Sequence, residues 1–371
     1  MTDSAPAVHD RRFGSGWISG AIAAVLGPMS FGAVLCLRFP QYLTSPHLRE
    51  VYPMGLMRGL IHVCLVASFV LGAVSVTLRR SKWLGGTGIA FAVCGALLGG
   101  SEAAADGPIG ASTYVGLDWF LLDLFMLAIL FVPIEKVFAR LDQPVFRPGW
   151  TTDLAHFLVS HVLVQFLMLL TMTPAALLFR FAVDSPLQRA AAAQPAWLQF
   201  AEIVVLADLA EYTIHRLFHA VPFLWRFHAV HHSSRTMDWL AGSRLHLVDV
   251  VVTRALAFVP LYVLGFSRPA VYAYLVFVGF HAVFLHANVR FRFGWLAQVI
   301  GTPRFHHWHH SPAPEALDRN FAIHLPWIDR IFGTLHLPGE EWPDAYGLEG
   351  NPVPEDYVKQ LGWPFRPGRD A

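Results

Sequence analysis

The sequence predicts an all-α fold: a polytopic membrane helical bundle of about 6–8 spans with a cytoplasmic-side histidine-rich metal site. Three observations predict it. Of 371 residues, 55% are hydrophobic and only 14% charged, against about 25% charged in an ordinary soluble domain. Several apolar runs reach the roughly 20 residues a helix needs to cross the hydrocarbon core. The pattern HxxHH occurs twice, in RFHAVHHSSRTMDWL from Arg226 and in TPRFHHWHHS from Thr302.

The apolar runs begin near Trp17, Met54, Trp83, Leu117, Leu154 and Trp197. Two more, near Leu247 and Pro269, are shorter or more polar and suit either full spans or a partly embedded hairpin. Residues 1–16 are polar and read as a disordered N-terminus. The run from Trp17 to Leu37 lacks a small-x-small cleavage pattern, so a retained anchor is expected rather than a removed signal peptide. Cys36, Cys64 and Cys94 are odd in number and lie in apolar runs, which fits packing residues and not a disulfide framework or thiolate metal site.

Net charge is +1 and no dense basic block occurs, which sets nucleic-acid binding aside. Positive charge gives the sidedness. Arg11 and Arg12 precede the first run, Arg79, Arg80 and Lys82 follow the second, and Lys136, Arg140 and Arg147 follow the fourth. The connection with Glu102 and Asp106 has no Lys or Arg and reads as outside, whereas Arg38, Arg49 and Arg58 fit the scheme less well. Carried forward, the alternation puts both termini and the residues around HRLFH, 215–219, in the cytoplasm. Of 19 histidines, 14 lie between His215 and His336. The chain therefore divides into N-terminal transmembrane helices (17–150), a catalytic half (151–336) and a Pro- and Gly-rich cytoplasmic tail (337–371) of irregular structure.

His215 and His219 are spaced i, i+4, so a helix carries both imidazoles on one face. His228, His231 and His232, and again His306, His309 and His310, add i, i+3, i+4 faces. In FHAVFLHAN, His281 and His286 are five apart, which on a helix needs a local bulge or leaves only one of them facing the others. A lone histidine is most often a satisfied packing residue. Ten converging imidazoles are different, because each unsatisfied buried nitrogen costs about 1–3 kcal/mol against a total folding stability of about 5–15 kcal/mol. Metal ligation removes that cost, neutral imidazole being a common ligand for iron, zinc and copper. Ten candidates exceed one four-ligand site and suggest two metals with about five ligands each and an open position. There is no HExxH zincin motif, and triplets do not suit the axial ligands of a haem.

DLAEYTIHRLFH, LWRFHAVHHSS, HAN and TPRFHHWHHS, followed by DRNFAIHLPWIDRIFGT, resemble the histidine boxes and closing segment of the sterol desaturase and fatty acid hydroxylase superfamily of integral-membrane di-iron enzymes. The resemblance runs from about Asp208 to Thr334 and gives no functional residue between Phe39 and Phe146. It implies His215, His219, His228, His231, His232, His281, His286, His306, His309 and His310 as metal ligands, with His307 standing where relatives often carry Arg. It implies two iron ions, zinc being a substitute in purified protein, with O2 as co-substrate and hydroxylation or desaturation of a C–H bond as the outcome. Asp208, His246, Asp249 and Asn288 are expected to orient ligands, Asn320 and Asp329 chiefly to close loops, and His324 and His336 are left out for want of a partner at ligand spacing.

The expected partners are a lipid from the bilayer and a separate electron donor (a ferredoxin, reductase or small cytochrome), since no fused redox motif is present. A membrane metal transporter and a zinc-dependent membrane hydrolase are the alternatives. A transporter places its ligands inside the spans, whereas these triplets fall at their ends.

Overall fold

The computed structural model describes residues 14–45, 49, 53–104, 115–162 and 164–366. Arg11, Arg12 and Asp106 lie outside the described residues, as does the N-terminal segment up to residue 13. Among the described residues the regular structure is helical, with one isolated bridge between Ala139 and Val289. The main helices are α1 (Trp17–Arg38), α2 (Met54–Leu78), α3 (Trp83–Leu97), α4 (Leu117–Val137), α5 (Trp150–Val162), α6 (Val164–Leu178) and α7 (Pro186–Ala192). They continue with α8 (Ala196–Ala220), α9 (Pro222–His232), α10 (Leu247–Leu264), α11 (Arg268–His286), α12 (Pro303–His309), α13 (Pro326–Phe332) and α14 (Tyr357–Gly362).

Six helices are long and apolar enough to cross a membrane, and the pair α7 and α8, bent by 117°, makes a seventh if it counts as one span. The run expected from Leu154 is different. It is carried by two helices of 13 and 15 residues, each short of the roughly 20 residues a span requires.

The chain forms two compact units, Met1–Phe125 with His161–Gln165, and Met126–Ser160 with Phe166–Ala371. In the first, α1, α2 and α3 pack through small residues. Gly88 approaches Ala23 so closely that a Cβ there would lie 2.6 Å from the Ala23 Cβ, and Ser68 Oγ donates to the Ala23 and Gly88 carbonyls at 2.9 and 3.1 Å. Such small-residue seams suit helices in lipid, where apolar burial alone gives little drive to associate.

In the second unit, α8 packs on α9, α10 and α11, and α11 on α12. A core of Ile203, Ala207, Leu261, Phe266, Ala270 and Tyr274 joins α8, α10 and α11. In the same unit, Arg147 is fully buried and paired with Asp153 at 2.5 Å and with Asp238 at 2.7 Å, and Arg244 Nε lies 2.5 Å from Asp153. Arg147 therefore presents no surface charge and does not serve as a marker of membrane sidedness. Two carboxylates and two guanidiniums satisfy one another here, as buried charges require. The tail is more ordered than its composition suggests. It contains α14, and it is tied down by Thr152 Oγ1 donating to the Glu355 carbonyl at 2.6 Å and Trp308 Nε1 donating to that of Glu341 at 3.0 Å.

Candidate metal centre

Nine histidines converge in two groups. His215, His219, His228, His232 and His309 form one, and His231, His286, His306 and His310 the other, each offering one nitrogen within 4.8 Å of the rest of its group. Local sequence puts them there. His215 and His219 leave the last turns of α8. Pro222 starts α9 immediately after it, so the HxxHH face of α9 turns back onto α8. Thr302 caps α12, its side chain accepting from Phe305 N at 3.3 Å, and Pro303 takes the first helical position, where a missing N–H costs nothing.

The decisive feature is which nitrogen of each ring carries the proton. Carbonyl and carboxylate oxygens only accept here, so a ring nitrogen bonded to one must donate. His215 Nδ1 donates to the Phe321 carbonyl at 2.7 Å, His309 Nδ1 to that of Arg319 at 2.7 Å, and His231 Nδ1 to that of Arg244 at 3.1 Å. His286 Nδ1 donates to the Ala282 carbonyl at 2.8 Å, His228 Nδ1 to Asp249 Oδ2 at 2.7 Å, and His219 Nδ1 to Asp318 Oδ1 at 3.2 Å. Six neutral rings are thus left with a bare Nε2.

Those bare nitrogens point at one another. His215 Nε2 lies 2.9 Å from His228 Nε2, and His231 Nε2 lies 3.3 Å from His286 Nε2. The Nε2 atoms of His219 and His309 and the Nδ1 atoms of His306 and His310 are buried without a partner. Two lone pairs at such distances repel unless a cation lies between them. The donor set fits metal ions on that ground, six of the nine imidazoles being fixed by an outer acceptor in the way metal-binding histidines are.

Burial first, and the facing imidazoles second, push His228, His232, His306, His309 and His310 well below the usual histidine value; His231 shares both causes. All are neutral at neutral pH. Histidines outside the two groups behave alike, burial pushing His307 and His324 down to about 3 and His156 down to about 4. An unfolded histidine titrates near pH 6.5, so below that pH the unfolded chain binds more protons than the folded one. The histidine contribution to stability is therefore expected to be complete above pH 6.5 and to fall steadily toward pH 4. Thermal unfolding of the metal-saturated protein in detergent checks this, with a midpoint several degrees lower at pH 5 than at pH 7.5.

The surrounding loop is shaped to hold these acceptors. Asp318 and Asn320 have φ of 54° and 58°, a left-handed conformation that is strained for most residues. They flank Arg319, whose carbonyl meets His309. Gly242 passes over His286 so closely that a Cβ would sit 2.7 Å from its Nδ1. Asp329 accepts from Phe321 N at 2.8 Å and Ala322 N at 2.9 Å, steadying the Phe321 carbonyl beneath His215.

Of the residues singled out in the sequence, Asp249 is the one found bonded to a clustered imidazole. His281 joins neither group. Its Nε2 donates to the Gly301 carbonyl at 2.9 Å and its Nδ1 faces His324 Nδ1 at 2.9 Å. α11 runs as regular α-helix to His286, so residues five apart stand on different faces. His307 also stays outside, its Nδ1 accepting from Tyr346 Oη at 2.8 Å and its Nε2 donating to the His286 carbonyl at 3.3 Å.

Asp208 touches no imidazole. It accepts from the backbone N–H groups of Ile323, His324 and Leu325 at 2.7, 3.0 and 2.7 Å and so pins the closing segment to α8. His246 caps α10 through Val248 N at 3.1 Å and meets the Leu361 carbonyl. Asn288 ties both polar atoms of its amide to Leu141, and Asn320 bonds the carbonyls of Phe305 and His336. These are structural ties. Sequence reasoning missed the four backbone carbonyls, which no side-chain pattern encodes, and Asp318, which it quoted only as part of the closing segment.

Residues 200–334 match the fatty acid hydroxylase family. Over 253 residues, 64% of this chain and 71% of the relative, the sequence is 32% identical to the ornithine lipid hydroxylase OlsE of Rhizobium tropici. Over 142 residues, 38% of this chain, it is 32% identical to the alkylglycerol monooxygenase of Homo sapiens, of which it spans 31%. It is 29% identical over 164 residues to the fatty acid hydroxylase vlmA of a Lecanicillium species, covering 40% of this chain and 42% of the relative. No solved structure matches the chain.

Proposed function

Because the chain belongs to the sterol desaturase and fatty acid hydroxylase superfamily, we propose that its two histidine groups hold two iron ions and that it hydroxylates a membrane lipid with O2. The observation that carries this reading is the convergence of nine imidazoles in one group of five and one of four, six of them with a bare Nε2. Iron held there supplies the activation of dioxygen, with the electrons coming from a separate ferredoxin, reductase or small cytochrome.

The chain's own residues do the rest. Asp249, Asp318 and the carbonyls of Phe321, Arg319, Arg244 and Ala282 fix six of the nine donor nitrogens inward before any ion arrives. That preorganisation spares the reorganisation a flexible ligand set would need. Burial of eight of the nine rings excludes bulk water from the reacting space, which protects an oxidising site from side reactions. Two of the helices long and apolar enough to cross a membrane, α10 and α11, carry Asp249 and His286, which favours a site beside the bilayer that a lipid reaches without crossing water. The relatives are named as hydroxylases and a monooxygenase, which favours oxygen insertion over desaturation. The termini and the site are assigned to the cytoplasmic face, where reductants are available.

The test is oxygenation of a membrane-lipid extract by the purified protein. Product is expected only with iron, reductant and O2 together, and 18O2 should place one labelled oxygen in the lipid. Product formed without O2 or reductant would favour a hydrolase; metal uptake into vesicles without product would favour a transporter.

A further inference from the structure

In the second unit, exposed apolar surface is not confined to the long helices. The 3-10 turn Gly294–Gln298 exposes Trp295 by 74% and Leu296 by 43%, and Val299 just after it is 45% exposed. The short helix α13 exposes Ile331 by 69% and Phe332 by 48%. The two segments pack against each other, and Arg330 Nη2 donates to Gln298 Oε1 across them. Neither is long enough to cross a bilayer, and the metal centre uses none of these side chains.

Hydrogen bonds fix the level of both segments along the long helices. Gly301, three residues beyond the turn, accepts from His281 Nε2 at 2.9 Å, and its N–H donates to the His324 carbonyl at 2.7 Å. Leu325, at the start of α13, donates its N–H to Asp208 of α8 at 2.7 Å. At the other end of α13, Phe332 stacks on Tyr212 of α8 with ring centroids 4.8 Å apart. His281 lies five residues inside α11 from His286, which is about 7 Å along the axis. Asp208 and Tyr212 precede His215 by seven and three residues. Both segments therefore flank α8 and α11 one to two turns back from the ends that carry the metal-binding rings.

α11 has 19 residues, a length of about 28 Å against a hydrocarbon core of about 30 Å. Such a helix crosses only if its whole length is used, so the level of His281 lies below the bilayer surface at the His286 end. Large apolar side chains exposed at that level meet lipid. The charges agree. Arg290, Arg292 and Arg330 are exposed, residues 287–300 contain no Asp or Glu, and Asp329 of α13 is fully buried. Tryptophan and arginine beside bulky apolar residues suit the boundary between head groups and acyl chains.

We propose that Gly294–Val299 and α13 form a foot lying in the bilayer interface, with Trp295, Leu296, Val299, Ile331 and Phe332 among the outer acyl methylenes and the three arginines at the lipid phosphates. The foot joins the metal-binding segments directly. Thr302, next to Gly301, caps α12, and Asp329 of α13 holds the Phe321 N–H beneath His215. Seating the foot in lipid thus sets the height of the metal centre over the membrane, whichever reaction the centre performs.

The experiment places one nitroxide at a time on the full-length, iron-loaded protein in nanodiscs of phosphatidylethanolamine and phosphatidylglycerol, with Cys36, Cys64 and Cys94 replaced by alanine. It compares collisions with oxygen, which concentrates in lipid, and with a water-soluble nickel chelate. Trp295→Cys, Val299→Cys and Ile331→Cys carry the label at exposed positions, and iron content equal to that of the unmodified protein reports that each variant folds. These three labels should lie about 5–10 Å below the phosphates. A label on Arg292→Cys should lie at the phosphates, and one on Glu349→Cys, exposed in the tail, in water. Three labels as open to nickel as the one at Glu349 overturn the proposal, and so does a label at Arg292 as deep as the other three. Labels shielded from both reagents also overturn it, because a second copy or another protein would then cover the face.

Discussion

Replacing His310 by alanine is expected to abolish turnover, by more than about 100-fold, and to lower the metal content from two ions per chain to one. His310 is buried, its Nδ1 has no partner, and its Nε2 lies 3.1 Å from His306 Nε2. It belongs to the smaller group, so its loss leaves three imidazoles where four stood. The group of five keeps all its donors. Elemental analysis of the purified variant beside its activity checks both halves of this expectation. His281→Ala is the matched control. It removes an equally buried histidine, which the sequence alone ranks as a ligand, yet its nitrogens serve Gly301 and His324, so two metals per chain should remain.

Asp249→Asn is expected to cost about 10–100-fold in metal affinity or activity with the fold preserved. The Asp249 carboxylate accepts from His228 Nδ1 at 2.7 Å and from Thr253 Oγ1 at 3.1 Å. An amide of the same shape loses the charge and can present its N–H2 to the ring, which favours the wrong tautomer and turns a proton, in place of a lone pair, toward the metal. Titration of the metal-depleted variant with Fe(II) separates this effect from unfolding: weak, saturable binding is expected, with an unchanged helical circular dichroism spectrum.

What the sequence made legible follows from how local each feature is. The HxxHH triplets and the i, i+4 pair belong to single helices, so periodicity alone assembles their faces, and eight of the nine clustered histidines come from such patterns. His286 was offered together with His281 by FHAVFLHAN, because a spacing of five does not say which ring turns inward, and the resemblance implied both. The acceptors behind the rings were mostly hidden. Phe321, Arg319, Arg244 and Ala282 contribute through backbone carbonyls, and their side chains carry no hint of it. Asp208 and His246 look like ligand-orienting residues from their neighbours in sequence, but backbone N–H groups claim them first. Arg147 illustrates the same limit for topology, since a positive residue near a helix end reads as surface charge until Asp153 and Asp238 are found around it.

The account stands on a metal pair held by imidazole nitrogen. X-ray absorption at the iron K-edge, on protein purified without oxygen and analysed for metal per chain, tests that most directly. Two irons per chain with a first coordination shell dominated by imidazole nitrogen is the predicted result. A single iron, or a shell dominated by sulfur or by carboxylate oxygen, would contradict it.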